Sequence, residues 1–537
     1  MSTKRPTPLV RHLPWISALV AAGVTYAVTV LAASRFELTP LDDAFISARY
    51  ALNWASGYGL CFNPPERVEG YTNFLLVALE AAAIRAGLDP LEFAVAVGRA
   101  SLACLAGLVA LFSAKRVFRR RHLLATAAGV LLASNPVLVC WANSALESCL
   151  YALLLLQSAM LLLNARTWGR VACSAMLLVL ASMTRPEAVA LAPVMILLAR
   201  RRCRPTRAAI VYTAILGVGF LTYWALRGLY FSDPFPNTFY AKLDYGNMSL
   251  LKRGLHYLAD AACAAPLLTI LVLIALPIMR GAPRWVRGFL LIAAVQALVI
   301  VYEGGDHFAM FRFMVPVLPF VSLVALYPCS YALKRFRASH VLAGAATLVA
   351  LGAIASSSLI VWKQTVRQEE QKVTHLKQFT SECRHARDWA SIGRRLRQDA
   401  AKGESVCTVA IGALGYYSGM TVIDPHGIID RRIAKKRTRL GTGYPGHEKY
   451  DVDYVLSRRP GYILLVHVLT PRPVAERALN LMVWGQFNRD LLDHPSLREE
   501  YRYEVIEIGG RYLNLFVRRD LPPISTGDNQ ESSTDDP

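Results

Sequence analysis

The sequence lacks the short motifs that mark many catalytic centres. Its ten cysteines form no CxxC pair and show no Cys/His spacing typical of a metal site. GxSxG and HExxH are absent, and no glycine-rich phosphate loop follows a predicted strand. The sequence therefore predicts no bound cofactor, although it leaves a divalent cation possible.

Charged residues are also scarce, at 18% of the chain, whereas hydrophobic residues make up 54%. With a mean hydropathy of +0.34, the chain is too apolar for a soluble protein of 537 residues and is typical of a polytopic membrane protein. The formal charge of +21 is no argument for nucleic-acid binding. The basic residues fall in short clusters between apolar runs, which is the positive-inside pattern of membrane proteins.

About eleven apolar runs predict α-helices that cross the membrane. They lie at 14–33, 92–114, 123–140, 146–164, 171–183, 188–199, 208–231, 265–279, 288–302, 311–332 and 341–362. The first run follows basic residues, as in a signal peptide, but it is long for one and is interpreted as an uncleaved span.

Segment 71–86 (YTNFLLVALEAAAIRA) is apolar but short for a span and carries two charges. If it crossed the membrane, every later loop would be inverted and the basic run KRVFRRR would lie outside. The positive-inside rule therefore predicts a juxtamembrane or re-entrant helix here, with the N-terminus in the cytoplasm.

The chain turns polar near residue 363. A charged helix over 363–402 and short strands at 405–411, 420–424 and 461–467 predict an extracytoplasmic α/β domain over 363–520. This domain would follow a transmembrane domain over 1–362 and precede a disordered tail over 521–537. Cys383 and Cys407 both lie in it, and the sequence leaves open whether they pair.

The densest polar stretch is 42–74, which begins with Asp42-Asp43 directly after the first span. Adjacent carboxylates beside a membrane are costly and therefore point to function. Glu69, Tyr71 and Asn73 at its end have the character of a sugar site, because aromatic rings stack on sugar faces and polar side chains bind hydroxyls. The alternative is a solvated loop with a helix capped by Asp42.

Two further outer loops carry candidate substrate residues. In DPFPNTFYAK (233–242), Asn237 and Tyr240 precede Lys242, whose ammonium would hold a phosphate. The alternative is turn chemistry with a snorkelling lysine. In TRPE (184–187), Arg185 and Glu187 would lie recessed on the outer side, between two spans that are each short.

The segment EGGDHFAMFRFMVP (303–316) places Asp306, His307 and Arg312 at the outer mouth of a span. Arg312 is a candidate phosphate ligand, and the alternatives are an interfacial anchor or an internal Asp306–Arg312 ion pair.

Three candidate substrate contacts lie in the extracytoplasmic domain, namely His426, Asp430 and His447. Each histidine taken alone is more often a structural residue. The adjacent basic run RRIAKKR is most simply a solvated or membrane-facing surface.

These motifs occur in a characteristic order. The stretches DDAFISARYALNWASGYGLCFNPPERVEGYTNF, NPVLVCWANSALES, MTRPE, DPFPNTFYAK, GGDHFAMFRFMVPVLP and YYSG…DPHGIIDR…GHEK span roughly residues 36–465. Together they resemble the terminal arabinofuranosyltransferases of the actinobacterial cell wall and their relatives in other bacteria. Those enzymes belong to the GT-C superfamily of polyprenyl-phosphate-sugar glycosyltransferases. Some of these relatives carry an acidic residue where this chain has Ile411-Gly412-Ala413.

The resemblance implies a GT-C fold, with about eleven transmembrane helices, juxtamembrane helices and a C-terminal extracytoplasmic α/β domain in a bacterial inner membrane. It implies inverting transfer of a pentofuranose or hexose from a polyprenyl-phosphate donor to an envelope glycan, lipid or protein. Asp42 or Asp43 would be the general base, and Lys242, Arg312 and Arg185 would stabilise the leaving phosphate.

The rival function is a transporter or lipid flippase for envelope precursors, which would explain the spans and the intramembrane charges equally well. It would not require polar outer loops this dense, and the sequence shows no inverted repeat. A non-catalytic receptor would leave the charges at the outer ends of several spans unexplained.

Overall fold

The computed structural model describes residues 8–118, 121–199, 205–243, 248–328, 330–331, 352, 365–368, 371–441, 443–466, 468–483 and 485–524. The chain divides into two compact units. The helical unit comprises Met1–Thr39, Glu92–Leu226 and Leu250–Thr380, and the mixed unit comprises Pro40–Leu91, Arg227–Ser249 and Ser381–Pro537.

The described chain is mostly helical. Its α-helices are α1 (Pro8–Phe36), α2 (Asp42–Ala55), α3 (Phe74–Arg85), α4 (Pro90–Phe112), α5 (His122–Ala133), α6 (Pro136–Ala142), α7 (Ser148–Leu163), α8 (Trp168–Thr184), α9 (Ala192–Leu198), α10 (Pro205–Phe231), α11 (Asn237–Lys242), α12 (Met248–Ala264), α13 (Pro266–Ala275), α14 (Arg284–Glu303), α15 (Leu318–Ala325), α16 (His375–Asp399), α17 (Gly412–Ser418), α18 (Arg431–Ala434), α19 (Val452–Ser457), α20 (Gln486–Leu492) and α21 (Pro495–Glu500). Its strands are β1 (Thr365–Gln368), β2 (Gln371–Thr374), β3 (Ser405–Thr408), β4 (Thr421–Ile423), β5 (Tyr462–Leu464), β6 (Tyr501–Ile508) and β7 (Arg511–Arg518).

The helical unit consists of long apolar helices, because only a helix satisfies all backbone polar groups within one segment in lipid. Four helices among the described residues are long and apolar enough to cross a membrane, and six if each of two bent pairs is one span. Shorter apolar helices include α7 and α8, which pack against each other. The chain is a polytopic α-helical membrane protein, and the count of eleven spans stays a prediction. Its last predicted span, 341–362, lies outside the described residues apart from residue 352.

Helix α3 covers the segment whose course was ambiguous in the sequence. It has 12 residues, which at 1.5 Å per residue give a length of about 18 Å. The hydrocarbon core is about 30 Å thick, so α3 is too short to cross it. This length agrees with the predicted juxtamembrane or re-entrant helix.

The mixed unit contains a five-stranded sheet with the order β4-β3-β5-β7-β6. Strand β3 runs parallel to β4 and β5, and β7 pairs antiparallel with β5 and β6. Helices α2 and α3 belong to this unit and share one hydrophobic core with the sheet, in which Tyr50, Tyr71, Leu414 and Tyr462 are buried. The predicted boundary at 362/363 stays a prediction, as does the disordered tail, of which 525–537 lie outside the described residues.

Two details of the sequence interpretation were wrong. The predicted helix over 363–402 begins only at His375, because residues 365–368 and 371–374 form the antiparallel strands β1 and β2. The hairpin β6–β7 was missed, since its strands carry many charged residues on the exposed face. Cys383 and Cys407 are buried free thiols, so they form no disulfide with each other.

Candidate functional site

Asp42 and Asp43 form the first turn of α2, where two carboxylates are favoured by the partial positive charge of the helix N-terminus. Asp42 does not cap its own helix, because the N-cap residue is Leu41. Instead, its Oδ2 accepts a hydrogen bond from the Gly412 amide at 3.0 Å, and its Oδ1 accepts one from the Ala413 amide at 2.7 Å. Asp42 therefore satisfies the first amides of α17, a helix far away in sequence.

The pKa of Asp42 is raised to about 7, mainly by burial and in smaller part by the charge of the neighbouring Asp43 carboxylate. The two amide hydrogen bonds act in the opposite direction, because they stabilise the charged form. A carboxylate whose pKa lies near neutral pH is suited to proton transfer under physiological conditions.

Gly412 permits the close approach of α17 to the start of α2. A Cβ atom at this position would overlap the carbonyl oxygen of Asp42 and lie 2.7 Å from its Cγ atom. Only glycine allows the Gly412 amide to reach the carboxylate without a shift of one helix. In this segment, some relatives were expected to carry an acidic residue. In this chain, the backbone amides of the segment contact Asp42.

Arg49, about two turns further along α2, is buried and fixes the helix from within the mixed unit. Its Nε donates to the Phe62 carbonyl at 2.8 Å and its Nη2 to the Met420 carbonyl at 2.6 Å. Its Nη1 donates to the carbonyl of Gly415. Arg49 was not among the residues predicted from the sequence, where its spacing from Asp42-Asp43 on one helix is the only signal.

The predicted sugar ligands of the first loop all have protein partners. Glu69 forms a buried ion pair with Arg227, with Oε2 at 2.8 Å from Nε. Asn73 exchanges hydrogen bonds with the Ser47 hydroxyl, and Tyr71 packs edge-on against another buried ring of the core. These contacts show how the loop is held, and a role in sugar binding stays a prediction.

The loop 233–242 contacts the DPHGIID segment. Asn237 donates from Nδ2 to the carbonyls of Gly427 and Ile428 at 2.8 and 3.0 Å. The Tyr240 hydroxyl donates to Asp233 at 2.7 Å. Lys242 ends α11 and is half-buried, and it forms no ion pair with any residue that the structure describes.

The three candidates of the C-terminal part of the mixed unit lie close to this loop's partners. His426 is buried, its Nδ1 lies 3.0 Å from the Lys449 carbonyl, and burial lowers its pKa to about 4, so it is neutral. His447 packs edge-on against His426, with ring centroids 4.8 Å apart. Asp430 caps α18 through the amides of residues 432 and 433. Contact of these residues with substrate stays a prediction.

The remaining candidates form a buried ion-pair cluster in the helical unit. Arg185 pairs with Glu147 at 2.7 Å, and Arg312 pairs with Asp306 at 2.7 Å. The cluster also includes Glu187, which lies 3.8 Å from Arg185, and His307, which lies 3.6 Å from Asp306. A cavity of about 20 Å³ is lined by Arg185, Glu187 and Arg312 of this cluster and by Glu303. An internal Asp306–Arg312 pair was one of the alternatives predicted from the sequence. Glu147 was not predicted as a site residue, although it lies in the motif NPVLVCWANSALES.

The described residues include no group of three or more His, Cys, Asp or Glu side chains placed to hold a metal ion. The carboxylates of the ion-pair cluster are bound to arginines, which compete with a cation for the same oxygens. The role of a divalent cation therefore stays open, as the sequence left it.

Comparison with solved structures decides the fold. The structure of ArnT from Cupriavidus metallidurans bound to undecaprenyl phosphate superposes with a TM-score of 0.55 at 13% identity, covering 95% of this chain and 99% of ArnT. The chain has the GT-C fold. ArnT in the apo state gives a TM-score of 0.53 at 12% identity, covering 91% and 97% of the two chains. The Archaeoglobus fulgidus oligosaccharyltransferase in complex with Zn and sulfate gives 0.55 at 12% identity, covering 93% of this GT-C chain and 72% of the archaeal one.

Sequence comparisons give less information about the fold of this chain than the solved structures do. Residues 371–515 match a family described as Domain of unknown function (DUF8728). No curated protein matches the sequence. The fold predicted from the ordered motifs is confirmed, whereas the likeness to arabinofuranosyltransferases stays a prediction.

Proposed function

We propose that this protein is a membrane glycosyltransferase that moves a sugar from a polyprenyl-phosphate donor to an acceptor hydroxyl. The observation that carries the proposal is the GT-C fold, shared over 95% of the chain with a protein whose structure holds undecaprenyl phosphate. The dense polar first loop, with a carboxylate of raised pKa at its start, supplies the chemistry that such a transfer requires.

The proposed base is Asp42. The ionised carboxylate takes the proton of the acceptor hydroxyl while that oxygen attacks the anomeric carbon. The bond from the anomeric carbon to the phosphate oxygen breaks, and polyprenyl phosphate leaves with the bonding electron pair. One displacement with one base inverts the anomeric configuration. Each Asp42 oxygen accepts one amide hydrogen bond and retains a second lone-pair direction for the acceptor.

The leaving phosphate needs a positive charge near the breaking bond. Lys242 is the preferred candidate, because Arg185 and Arg312 are each bound to a carboxylate in the ion-pair cluster. For either arginine to bind phosphate, the incoming anion must compete with Glu147 or Asp306. The two arginines therefore rank behind Lys242 in this proposal, and no cofactor is part of it.

The acceptor is an envelope glycan, lipid or protein, and the transferred sugar is a pentofuranose or a hexose. The enzyme would act in a bacterial inner membrane, with the N-terminus in the cytoplasm and the chemistry on the extracytoplasmic face. Glu69, Tyr71 and Asn73 would then shape the sugar site mainly through the loop that they hold together.

The decisive experiment follows a polyprenyl-phosphate sugar labelled in the sugar, with the purified protein in nanodiscs. A glycosyltransferase releases free polyprenyl phosphate and labels the acceptor, whereas a transporter or flippase leaves the donor intact. The Asp42→Asn variant should lose about 10²- to 10⁴-fold in rate, the usual contribution of a general base. If Asp42→Asn and Asp43→Asn both keep a rate near that of wild type, the assignment of the base is wrong.

A further inference from the structure

A second site candidate lies in the mixed unit, away from the Asp42 carboxylate in sequence. It is a cavity of about 660 Å³ between the aromatic end of loop 233–242 and the segment 434–439 (AKKRTR), and we call it the basic basin. Its volume falls in the range of small-molecule sites, about 300–1,000 Å³. The sequence alone had suggested a solvated or membrane-facing surface for the basic run that lines this cavity.

The lining of the basic basin carries five cations, Lys435, Lys436, Arg437, Arg439 and Lys449, and none of the lining residues that the structure describes is acidic. Among the residues that the structure describes, carboxylates outside the lining pair with Lys435 and Lys436. Lys435 pairs with Asp233 at 2.5 Å and Lys436 with Asp451 at 3.3 Å. The basin therefore keeps an excess of positive charge.

Lys449 sits at the back of the basic basin and is only 7% exposed. Its Nζ donates to the Tyr240 carbonyl at 2.8 Å and to the Ala434 carbonyl at 2.7 Å, so it ties the two walls together. A buried ammonium that is held by carbonyl oxygens raises the positive potential of the cavity.

Arg437 and Arg439 stand at the exposed rim, and the structure places no carboxylate of a described residue in an ion pair with either. Their planar guanidinium groups match the two oxygens of a carboxylate or phosphate. One wall of the basin is aromatic and consists of Phe239 and Tyr240, and the Lys435 ammonium lies 4.7 Å from the centroid of the Tyr240 ring.

We propose that the basic basin binds an acidic saccharide, with its carboxylates or phosphates on Arg437 and Arg439 and its sugar rings against the aromatic wall. Cations beside aromatic faces in a cavity suit a ligand that is both charged and ring-shaped. A polybasic patch that only attracts anionic lipid acts by charge and requires no cavity. Taking this saccharide to be the acceptor rests on the proposed function, whereas its binding does not.

The test measures binding of a linear galacturonic acid tetramer to the full-length protein in zwitterionic nanodiscs by calorimetry, with uncharged maltotetraose as the comparison ligand. The basin variant carries Arg437→Gln with Arg439→Gln. Both positions are exposed, so these substitutions should leave the fold intact. The matched control carries Arg472→Gln with Arg477→Gln, which removes the same charge from exposed positions outside the basin.

We expect saturable binding of the acidic tetramer to the wild-type protein. Its affinity should fall about tenfold in the basin variant, which corresponds to about 1.4 kcal/mol, and should not change in the control. Maltotetraose should not bind measurably. Equal affinity in the two variants, or no saturable binding, would overturn the proposal. Competition by lipid would overturn it as well. If anionic lipid in the nanodiscs abolished tetramer binding to the wild-type protein and had no effect on the basin variant, the basin would hold lipid headgroups. The measurement uses no donor, so its failure is distinguishable from a failure of sugar transfer.

Discussion

At the scale of single residues, the adjacent carboxylates Asp42 and Asp43 have distinct tasks in the proposed reaction. Asp42 is the base, and Asp43 is a neighbouring negative charge that raises the pKa of Asp42. The sequence shows the pair but gives no reason to separate its members. Only the fold distinguishes them, because it brings the Gly412 and Ala413 amides to Asp42, where their hydrogen bonds hold its carboxylate in place.

The pKa of Asp42 predicts the pH dependence of transfer. The pKa of about 7 lies above the ordinary value of 3.8, so the carboxylate is largely protonated below neutral pH. We expect kcat/KM to rise about tenfold per pH unit on the acid side and to level off above pH 7 or so. The same raised pKa means that the contribution of Asp42 to folding stability is present below about pH 4 and lost as the pH rises through about 7.

A pH profile of the Asp43→Asn variant separates the two carboxylates. Removing the Asp43 charge lowers the pKa of Asp42, so the acid limb should move to lower pH while transfer persists. Asp43→Ala, which also lacks the charge, should move it in the same direction. An acid limb that stays at the wild-type position in both variants would contradict the assignment of this limb to Asp42.

Gly412→Ala tests the close approach of α17 to α2. The added Cβ overlaps the Asp42 backbone, so one of the helices must shift, and overpacking of this kind usually costs about 1–3 kcal/mol. We expect a lower melting temperature and a loss of transfer, measured by thermal unfolding and by donor turnover. Gly217→Ala is the control, because a Cβ there meets no atom within 4 Å. Equal stability and activity in both variants would refute the steric argument.

At the scale of elements, α2 is held at two points, by Asp42 at its start and by Arg49 further along. Arg49 replaces an ordinary hydrophobic anchor because its guanidinium reaches several carbonyl oxygens at once. The helix itself could be predicted from the sequence, since the carboxylates of its first turn are typical of a helix N-terminus. Its attachment could not, because the carbonyls come from residues 62, 415 and 420.

Arg49→Lys should destabilise the mixed unit although the charge is kept. A lysine ammonium cannot reach all three carbonyls in their fixed arrangement, and each buried acceptor left unsatisfied costs about 1–3 kcal/mol. Thermal unfolding followed by circular dichroism measures the effect. Arg384→Lys on α16 is exposed and should leave the melting temperature unchanged. An unchanged melting temperature of the Arg49→Lys variant would contradict this expectation, and would mean that water replaces the lost hydrogen-bond donors.

At the scale of the whole molecule, the sequence predicts an orientation that the fold alone does not test. The basic clusters place the loop 165–170 in the cytoplasm and the sheet of the mixed unit outside. Arg166→Cys and Lys402→Cys put thiols at exposed positions of these two segments. In intact cells, a membrane-impermeant maleimide should label Cys at 402 and not at 166, with the wild-type chain as the background. The reverse pattern would invert the proposed topology.

The sequence by itself determined the membrane class, the GT-C fold and the order of the polar loops. Apolar runs, basic clusters and short motifs are local features, and lipid permits few structures for them. Tertiary structure decided which polar groups meet. Asp42 finds its amide partner 370 residues away, and burial leaves His426 neutral. Such contacts depend on how distant segments pack, and hydrogen bonding and desolvation act only after that packing has formed.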